Sequence, residues 1–398
     1  MLQDFEIQIG TDFVFGRNSI DQIGDKLQTM NVHHVLLHHD GGAFLQSTGL
    51  LDRVKAQFKQ AGITVTELAG VQPNPRLSLV REGIAIVKDQ NIDLIFAIGG
   101  GSAIDSAKAI GLGAATDRDV WDFFTGKATP TATVKVASLV TYPAAGSESS
   151  AVTVVNNTEA GQKLLVSDPI VRPAVAFMAP ELTSTLPPFL TACGIVDMFC
   201  HVCERYFSPD NEIGVVDRMA EGILRTIVDL GPKVLKHPAD YESRAELMWI
   251  ATIAQNNTVG MGRTQDWATH EIANELSAVF DTPHGATISI IMGSWMAYAS
   301  QQKPYRFARF AREVFHVPAA GKNDHELATE GIKRLVAFFE QLGMPTSYKD
   351  FDVPTTETEK MLGNIAFRGD DQCIGGVVRL NREDCRRIYQ SAFDGNLF

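Results

Sequence analysis

The sequence predicts two domains: an α/β domain built on a parallel sheet over residues 1–188, then an all-helical domain over residues 189–398. Three observations carry that prediction. Before residue 188, short apolar runs alternate with amphipathic stretches, the order that puts helices on both faces of a parallel sheet. At Leu186-Pro187-Pro188 this character ends. After it, nearly every stretch has helical periodicity and no strand signal of comparable quality remains. The third observation is length: 398 residues exceed what a single hydrophobic core usually serves.

The elements follow in order. Phe13-Val14-Phe15 is strand-like and Gly16 closes it. Ser19 to Met30 has helical spacing. Val35-Leu36-Leu37 reads as a buried strand that ends in His38-His39-Asp40-Gly41-Gly42. Leu50 to Ala61 is helical, and Ile63-Thr64-Val65-Thr66 is strand-like. Pro73-Asn74-Pro75 is a turn, followed by a helix through Lys88. Asp93-Leu94-Ile95-Phe96-Ala97-Ile98 is the clearest strand, and Ser102 to Gly111 is the helix behind it. Val134 to Leu139 and Ala174 to Phe177 are further strands, and Ala151 to Val155 is part of a hairpin between them. The helical stretches of the second domain are 189–206, 212–236, 240–258, 264–279, 285–300, 304–315, 324–342, 355–365 and 381–393.

Gly99-Gly100-Gly101-Ser102 joins the clearest strand to its helix. Consecutive glycines let the backbone turn tightly and approach a ligand without a Cβ in the way. Exposed N–H groups at the helix start suit an anion such as pyrophosphate. The run is neither G-x-G-x-x-G nor a P-loop. The plain alternative is a tight turn in which Ser102 and Asp105 form a variant capping box.

The second domain holds Asp197, His201, His270 and His284. One carboxylate and three imidazoles are the inventory of a divalent metal site. Asp197 and His201 are four apart, so on a helix they share a face. His270 sits in the next-but-two apolar-periodic stretch, and Pro283 stops that helix. The fixed φ of Pro283 suits a new first turn, which puts His284 at a helix start. The alternative for each His is a hydrogen-bonded core residue. Cys200 and Cys203 flank His201, but with no second C-x-x-C the pair is a weak redox or zinc motif.

Composition excludes other classes. Apolar content of 45% with 21% charged residues is that of a soluble globular protein. A net charge of -12 without a basic run speaks against nucleic acid and anionic membranes as partners. Ala286 to Ala299 is too short and too polar to span a bilayer, and Met1 to Glu6 lacks the pattern of a signal peptide. Five cysteines, an odd number, fit a reducing cytoplasm.

With these motifs in order, the chain resembles the group III metal-dependent, or iron-containing, alcohol dehydrogenases, and within them the butanol dehydrogenase and aldehyde reductase branch. The resemblance runs nearly the whole length. Its residues are Phe15-Gly16, Pro73-Asn74-Pro75, Gly99 to Ser102 with Asp105 and Lys108, Gly146-Ser147-Glu148, Thr191 to His201, Asp266 to His270, and Pro283-His284-Gly285. It implies a dehydroquinate synthase-like architecture, with a dinucleotide-binding α/β domain, a helical domain, and an active site in the cleft between. It implies Asp197, His201, His270 and His284 as the metal ligands. Gly100, Gly101 and Ser102 would bind the cofactor pyrophosphate, Asp105 would lie beside the nicotinamide end, and Gly99 and Ser147 would also bind the cofactor. Thr141 would line the adenine side and Lys163 would contact the nicotinamide ribose.

The implied reaction is hydride transfer between NAD(P)(H) and a small primary alcohol or aldehyde, with the metal as Lewis acid. Imidazole suits both Fe²⁺ and Zn²⁺, and the resemblance puts iron first and zinc second. NAD is expected over NADP, because Asp40 stands where a carboxylate would hold the ribose diol and repel a 2′-phosphate. Against that, Asp40 is also an ordinary turn residue, and His38 and His39 are possible partners of a phosphate. Two departures touch the cofactor: Ala145 replaces the usual Thr, and Ser150 the usual Asn. A third, Asn274, replaces a second His found in many members, and Asn cannot titrate near neutral pH. The expected assembly is a homodimer or larger homo-oligomer. The competing readings are a polyol dehydrogenase, a dehydroquinate synthase-like cyclase, and a nucleotide-binding homologue without catalysis. The cyclase needs a basic pocket, and no Lys/Arg cluster lies near the metal motifs.

Overall fold

The computed structural model of the chain describes residues 2–209, 214–350, 357–367 and 369–398. The chain forms two compact units. One holds Gln8–Thr185 and Ala239–Asn256; the other holds Met1–Ile7, Leu186–Pro238 and Asn257–Phe398.

The first unit carries eight strands: β1 Asp12–Phe15, β2 His34–His39, β3 Thr64–Ala69, β4 Leu94–Gly99, β5 Lys135–Val140, β6 Val152–Asn157, β7 Gln162–Ser167 and β8 Val175–Met178. Between them run α1 Ile23–Thr29, α2 Ala43–Ser47, α3 Leu50–Gln60, α4 Leu77–Gln90, α5 Gly101–Ala114 and α6 Trp121–Phe124. Six strands form one parallel sheet in the order β1-β8-β5-β4-β2-β3. Successive side chains of a strand point to opposite faces, so β4 feeds two cores. Leu94, Phe96 and Ile98 join Ile23, Val54 and Phe58 on one face. Ile95 and Ala97 join Val80, Ile104 and Ile110 on the other. Phe96 is fully buried, with its ring edge-on to Phe58 at 5.1 Å and 5.9 Å from Phe177. Burying one such side chain stabilises the fold by roughly 1.5–3 kcal/mol.

From β2 the chain steps outward to β3, then returns across β2 to β4 on the other side. The carboxyl ends of β2 and β4 therefore flank a switch in strand order, where open α/β sheets bind ligands. The registers His39↔Ile98 and Gly99↔Val140 bring Asp40, the glycine run and Thr141 to that one edge.

The expected helix from Ser19 to Met30 is a short 3-10 turn, Ile20–Gln22, leading into α1. The expected half-hairpin is β6, and its antiparallel mate is β7, paired from Val152↔Ser167 to Asn157↔Gln162.

The helices after residue 187 are α7 Pro188–Tyr206, α8 Val215–Lys236, α9 Tyr241–Gln255, α10 Ala268–Phe280, α11 His284–Ser300, α12 Pro304–Phe315, α13 Asp324–Gln341, α14 Thr358–Asn364 and α15 Arg382–Asp394. The leading residues of the stretches 212–236 and 355–365 lie outside the described residues. A boundary at 188 assigns every one of these helices to a second domain, whereas α9 packs in the α/β unit. Met248 lies in that unit's core, Trp249 meets Phe13 edge-on at 5.3 Å, and the Thr252 hydroxyl donates to Glu148. Helical periodicity states which face of α9 is apolar, not which core receives it.

In the helical unit, α7 and α11 are buried on nearly every side, as suits apolar central helices. Amphipathic helices such as α12 pack with one face only, through Phe307, Phe310, Ala311 and Val314. Among the described residues no helix is long and apolar enough to cross a membrane.

Candidate functional site

The helical unit brings four side chains together. Asp197 and His201 lie one turn apart on α7, each 4% exposed in a helix that is buried on nearly every side. His270 is the third residue of α10. His284 is the first residue of α11, directly after Pro283 at φ -53°. The close approach of α11 to α7 needs Gly285. A Cβ there would lie 2.2 Å from the Cys193 carbonyl oxygen, one turn before Asp197.

The imidazole Nε2 atoms of His270, His201 and His284 lie 3.6, 3.7 and 3.9 Å from the same atom, Asp197 Oδ1. Donors roughly 2.0–2.2 Å from a tetrahedral ion would stand roughly 3.3–3.6 Å apart, which the Asp197–His270 and Asp197–His201 separations approach. The His201 and His270 rings stack at 4.6 Å, and His284 tilts against His270 at 5.3 Å. Asp197 Oδ1 and His270 Nε2 are buried without a hydrogen-bond partner among the described residues. Leaving such atoms unsatisfied is costly, so their convergence fits a bound cation. Asp197, His201 and His270 form one group able to hold a metal ion, their ligand atoms within 4.8 Å of one another, and His284 stands outside that group.

Electrostatics point the same way. Burial pushes the His201 pKa well below its ordinary value, aided by the neighbouring His270, so this ring is a neutral donor. Burial also opposes charge on His270, but Cys200, Asp197 and Glu204 outweigh it and hold that pKa high. A field that favours a proton on His270 favours a metal cation in its place.

Glu204 completes the far side of His270. Its Oε1 accepts from the His270 Nδ1 at 2.9 Å and from the His270 backbone N–H at 2.9 Å. Its Oε2 accepts from the Trp267 N–H at 2.9 Å. The motif spacing of the ligands does not single out Glu204. The available signal is a Glu in an apolar helix, seven residues after Asp197 and thus on its face. Asn274 lies one turn beyond His270 on α10 and is half-buried.

The α/β unit gathers the other expected residues around the glycine run. Gly100 precedes α5 and Gly101 opens it. A Cβ on Gly99 would lie 2.6 Å from Ala103 Cβ, and one on Gly101 would lie 2.9 Å from Ala145 Cβ. The position usually held by Thr thus packs directly on the loop. Ser102 is half-buried in the first turn of α5, and the Thr141 N–H donates to the Gly99 carbonyl at 3.0 Å.

Asp105, Ser147 and Ser150 are bonded to one another's surroundings. Asp105 accepts from the Ser147 hydroxyl and, at 3.0 Å, from the Val154 N–H. Fully buried Lys108 donates to Ser147 Oγ at 2.9 Å, Ser150 O at 3.1 Å, Ser150 Oγ at 3.2 Å and Val152 O at 2.8 Å. Burial lowers its pKa to about 8, against the pull of Asp105 and Glu148. Lys163 is half-buried on β7, opposite Asn156, and its charge reaches Asp105.

At the β2 end, Asp40 is exposed and its Oδ1 accepts from the Gly42 N–H at 2.9 Å, an Asx-turn. His38 is fully buried between the Leu68 carbonyl at 2.9 Å and the Ser106 hydroxyl at 2.8 Å. Burial lowers its pKa to about 4, so it is neutral near pH 7 and offers no charge to a phosphate. His39 lies against Glu67 at 3.0 Å through Nε2, while Nδ1 accepts from the Gly41 N–H at 2.9 Å.

Comparison with known proteins covers both units. The model of the iron-containing alcohol dehydrogenase family matches residues 10–180, and that of the C-terminal part of the Fe-containing alcohol dehydrogenase family matches residues 191–393. The chain is 37% identical to the probable NADH-dependent butanol dehydrogenase 1 of Bacillus subtilis, over 98% of this chain and 100% of the relative. It is 32% identical to the NADPH-dependent aldehyde reductase YqhD of Escherichia coli, again over 98% of this chain and 100% of the relative. The crystal structure of NADH-dependent butanol dehydrogenase A from Thermotoga maritima superposes with a TM-score of 0.94 at 34% identity, covering 98% of this chain and 99% of that one.

Proposed function

The chain belongs to the iron-containing alcohol dehydrogenase family, and we propose that it interconverts small primary alcohols and aldehydes with NAD(H) as hydride carrier. It is an oxidoreductase of the alcohol dehydrogenase and aldehyde reductase type. One observation carries the assignment of the site: three imidazole Nε2 atoms surround Asp197 Oδ1 at 3.6–3.9 Å. In this reading Asp197, His201, His270 and His284 hold a divalent ion, Fe²⁺ before Zn²⁺. When bound, the ion supplies Lewis-acid polarisation of the alcohol or aldehyde oxygen, and the nicotinamide supplies the hydride.

The chain's own residues bind and orient. Asp197 brings the negative charge that offsets the cation, and the three rings bring lone pairs without added charge. The backbone N–H groups at the start of α5 receive the cofactor pyrophosphate, which the missing Cβ atoms of Gly99, Gly100 and Gly101 let approach, and Ser102 adds a hydroxyl. Thr141 lines the adenine side, and Lys163 faces the nicotinamide ribose. Asp105, Ser147 and Ser150, tied through Lys108, fix the wall toward the nicotinamide. Asp40 takes the ribose diol and so selects NAD, in keeping with the NADH-dependent relatives.

The enzyme acts in the cytoplasm as a homo-oligomer. Five free, buried cysteines support the first point, and the edge strand β1, with Phe15 41% exposed, supports the second. The test is a panel of C2–C6 aldehydes with NADH and NADPH, on protein chelated and then reloaded with Fe²⁺ or Zn²⁺. Turnover should require reloading and favour NADH. Full turnover by protein shown to be metal-free would overturn the assignment.

A further inference from the structure

We infer that Glu204 is a positioning residue for the metal site: it fixes the His270 ring so that Nε2 presents its lone pair toward Asp197. The inference rests on the ligand set proposed above. Glu204 lies on α7, one turn after His201, whereas His270 belongs to α10. The side chain is 1% exposed and its two oxygens take three donors.

These bonds do two separate things. The Trp267 and His270 backbone N–H groups belong to the first turn of α10, whose donors have no partner within the helix. Accepting from them docks the start of α10 onto α7. The Nδ1 bond acts on the ring itself. A carboxylate is a pure acceptor, so Nδ1 must carry the hydrogen. With a cation in place of the second ring proton, Nε2 would turn its lone pair to the side of Asp197 Oδ1, 3.6 Å away. The charge of Glu204 also raises the basicity of the ring, and so its strength as a ligand.

The docking is demanding locally. Trp267 holds φ 68°, a left-handed conformation that is costly for a bulky residue. Its N–H is one of the three that Glu204 receives, and the Asp266 N–H donates to the Glu204 carbonyl at 2.8 Å. The carboxylate thus holds in place the turn that aims His270.

A different grouping, Cys200 with Glu204 and His270, also offers three ligand atoms. It would take Nδ1 as the donor atom. That lone pair is not available while Nδ1 donates to Glu204. Glu204 therefore serves the ion through His270 and does not bind it.

The experiment titrates Zn²⁺ and Co²⁺ into chelated wild type, Glu204→Gln, Glu204→Ala and His270→Ala, and follows unfolding of each metal-free protein. Gln keeps the shape and an acceptor oxygen but lacks the charge, so it should fold like wild type and bind Zn²⁺ about tenfold more weakly. Ala should bind about 100-fold more weakly, and the visible Co²⁺ bands should shift in both. Should the Ala variant fail to fold, the Gln variant decides alone. Wild-type affinity and Co²⁺ bands in Glu204→Gln would reduce Glu204 to a helix cap and overturn the inference. Failure of the ligand set looks different: wild type and His270→Ala would then bind Zn²⁺ alike.

Discussion

The surroundings of Asp197 and those of the glycine run are built in opposite ways. Around Asp197 the functional groups are side chains, all buried but the half-buried His284, and Asp197 Oδ1 and His270 Nε2 have no partner among the described residues. Around the glycine run, Asp105, Ser147, Ser150 and His38 are already bonded within the unit. What the glycine run itself offers a ligand is backbone N–H and the shape left by absent Cβ atoms. The difference teaches where each site stores its specificity. In the proposed reading, an ion would be held by lone pairs such as those of Asp197 Oδ1 and His270 Nε2. A dinucleotide is held by a surface that stays in place because its side chains are satisfied elsewhere.

The largest expected effect breaks the first half of that contrast. Asp197→Asn or His270→Ala should lower kcat by about 1,000-fold or more, since Lewis-acid polarisation is worth several kcal/mol. Bound metal, measured by elemental analysis, should fall with it, while the circular dichroism spectrum stays. A metal-free His270→Ala protein with wild-type kcat would show that the cluster is structural.

Next in size is the buried His38, which tests whether the nucleotide edge is internally bonded. Its folded pKa is about 4 against an ordinary 6.5. Between those values the unfolded chain binds a proton that the folded chain does not. Stability is therefore present above about pH 6.5 and lost as pH falls toward 4, by about 3 kcal/mol for this group. His38→Gln should lose less stability than wild type between pH 7 and pH 4.5 in urea unfolding, the other titrating groups cancelling in the difference. Identical pH dependence in the two proteins would place His38 in contact with solvent, and restore it as a partner for phosphate.

The smallest effect sharpens the choice of cofactor. Asp40 is exposed and already spends one oxygen on Gly42, leaving Oδ2 for a ribose hydroxyl. Asp40→Gly should shift the NADPH/NADH ratio of kcat/KM by about tenfold toward NADPH, the size of ~1.4 kcal/mol. An unchanged ratio would leave Asp40 as a turn residue only.

Much of this protein is determined by local spacing. Strand–helix alternation before residue 188 implies the parallel sheet, and the four-residue step from Asp197 to His201 puts two candidate ligands on one helix face whatever that helix packs against. Pro283 likewise sets the start of α11 at His284. The glycine run announces itself because only glycine tolerates such close approach. Tertiary structure decided the rest. Nothing in its periodicity assigns α9 to the α/β unit, because an apolar stripe fits either core. Gly285 is informative only once the Cys193 carbonyl oxygen stands 2.2 Å from where its Cβ would be. Lys108 becomes a hub only when β6 and the loop before it supply four acceptors. Glu204 meets His270 across 66 residues of chain. Helix geometry fixes what lies three or four residues away, but the partner across a packed interface depends on how whole elements dock, and no local pattern carries that information.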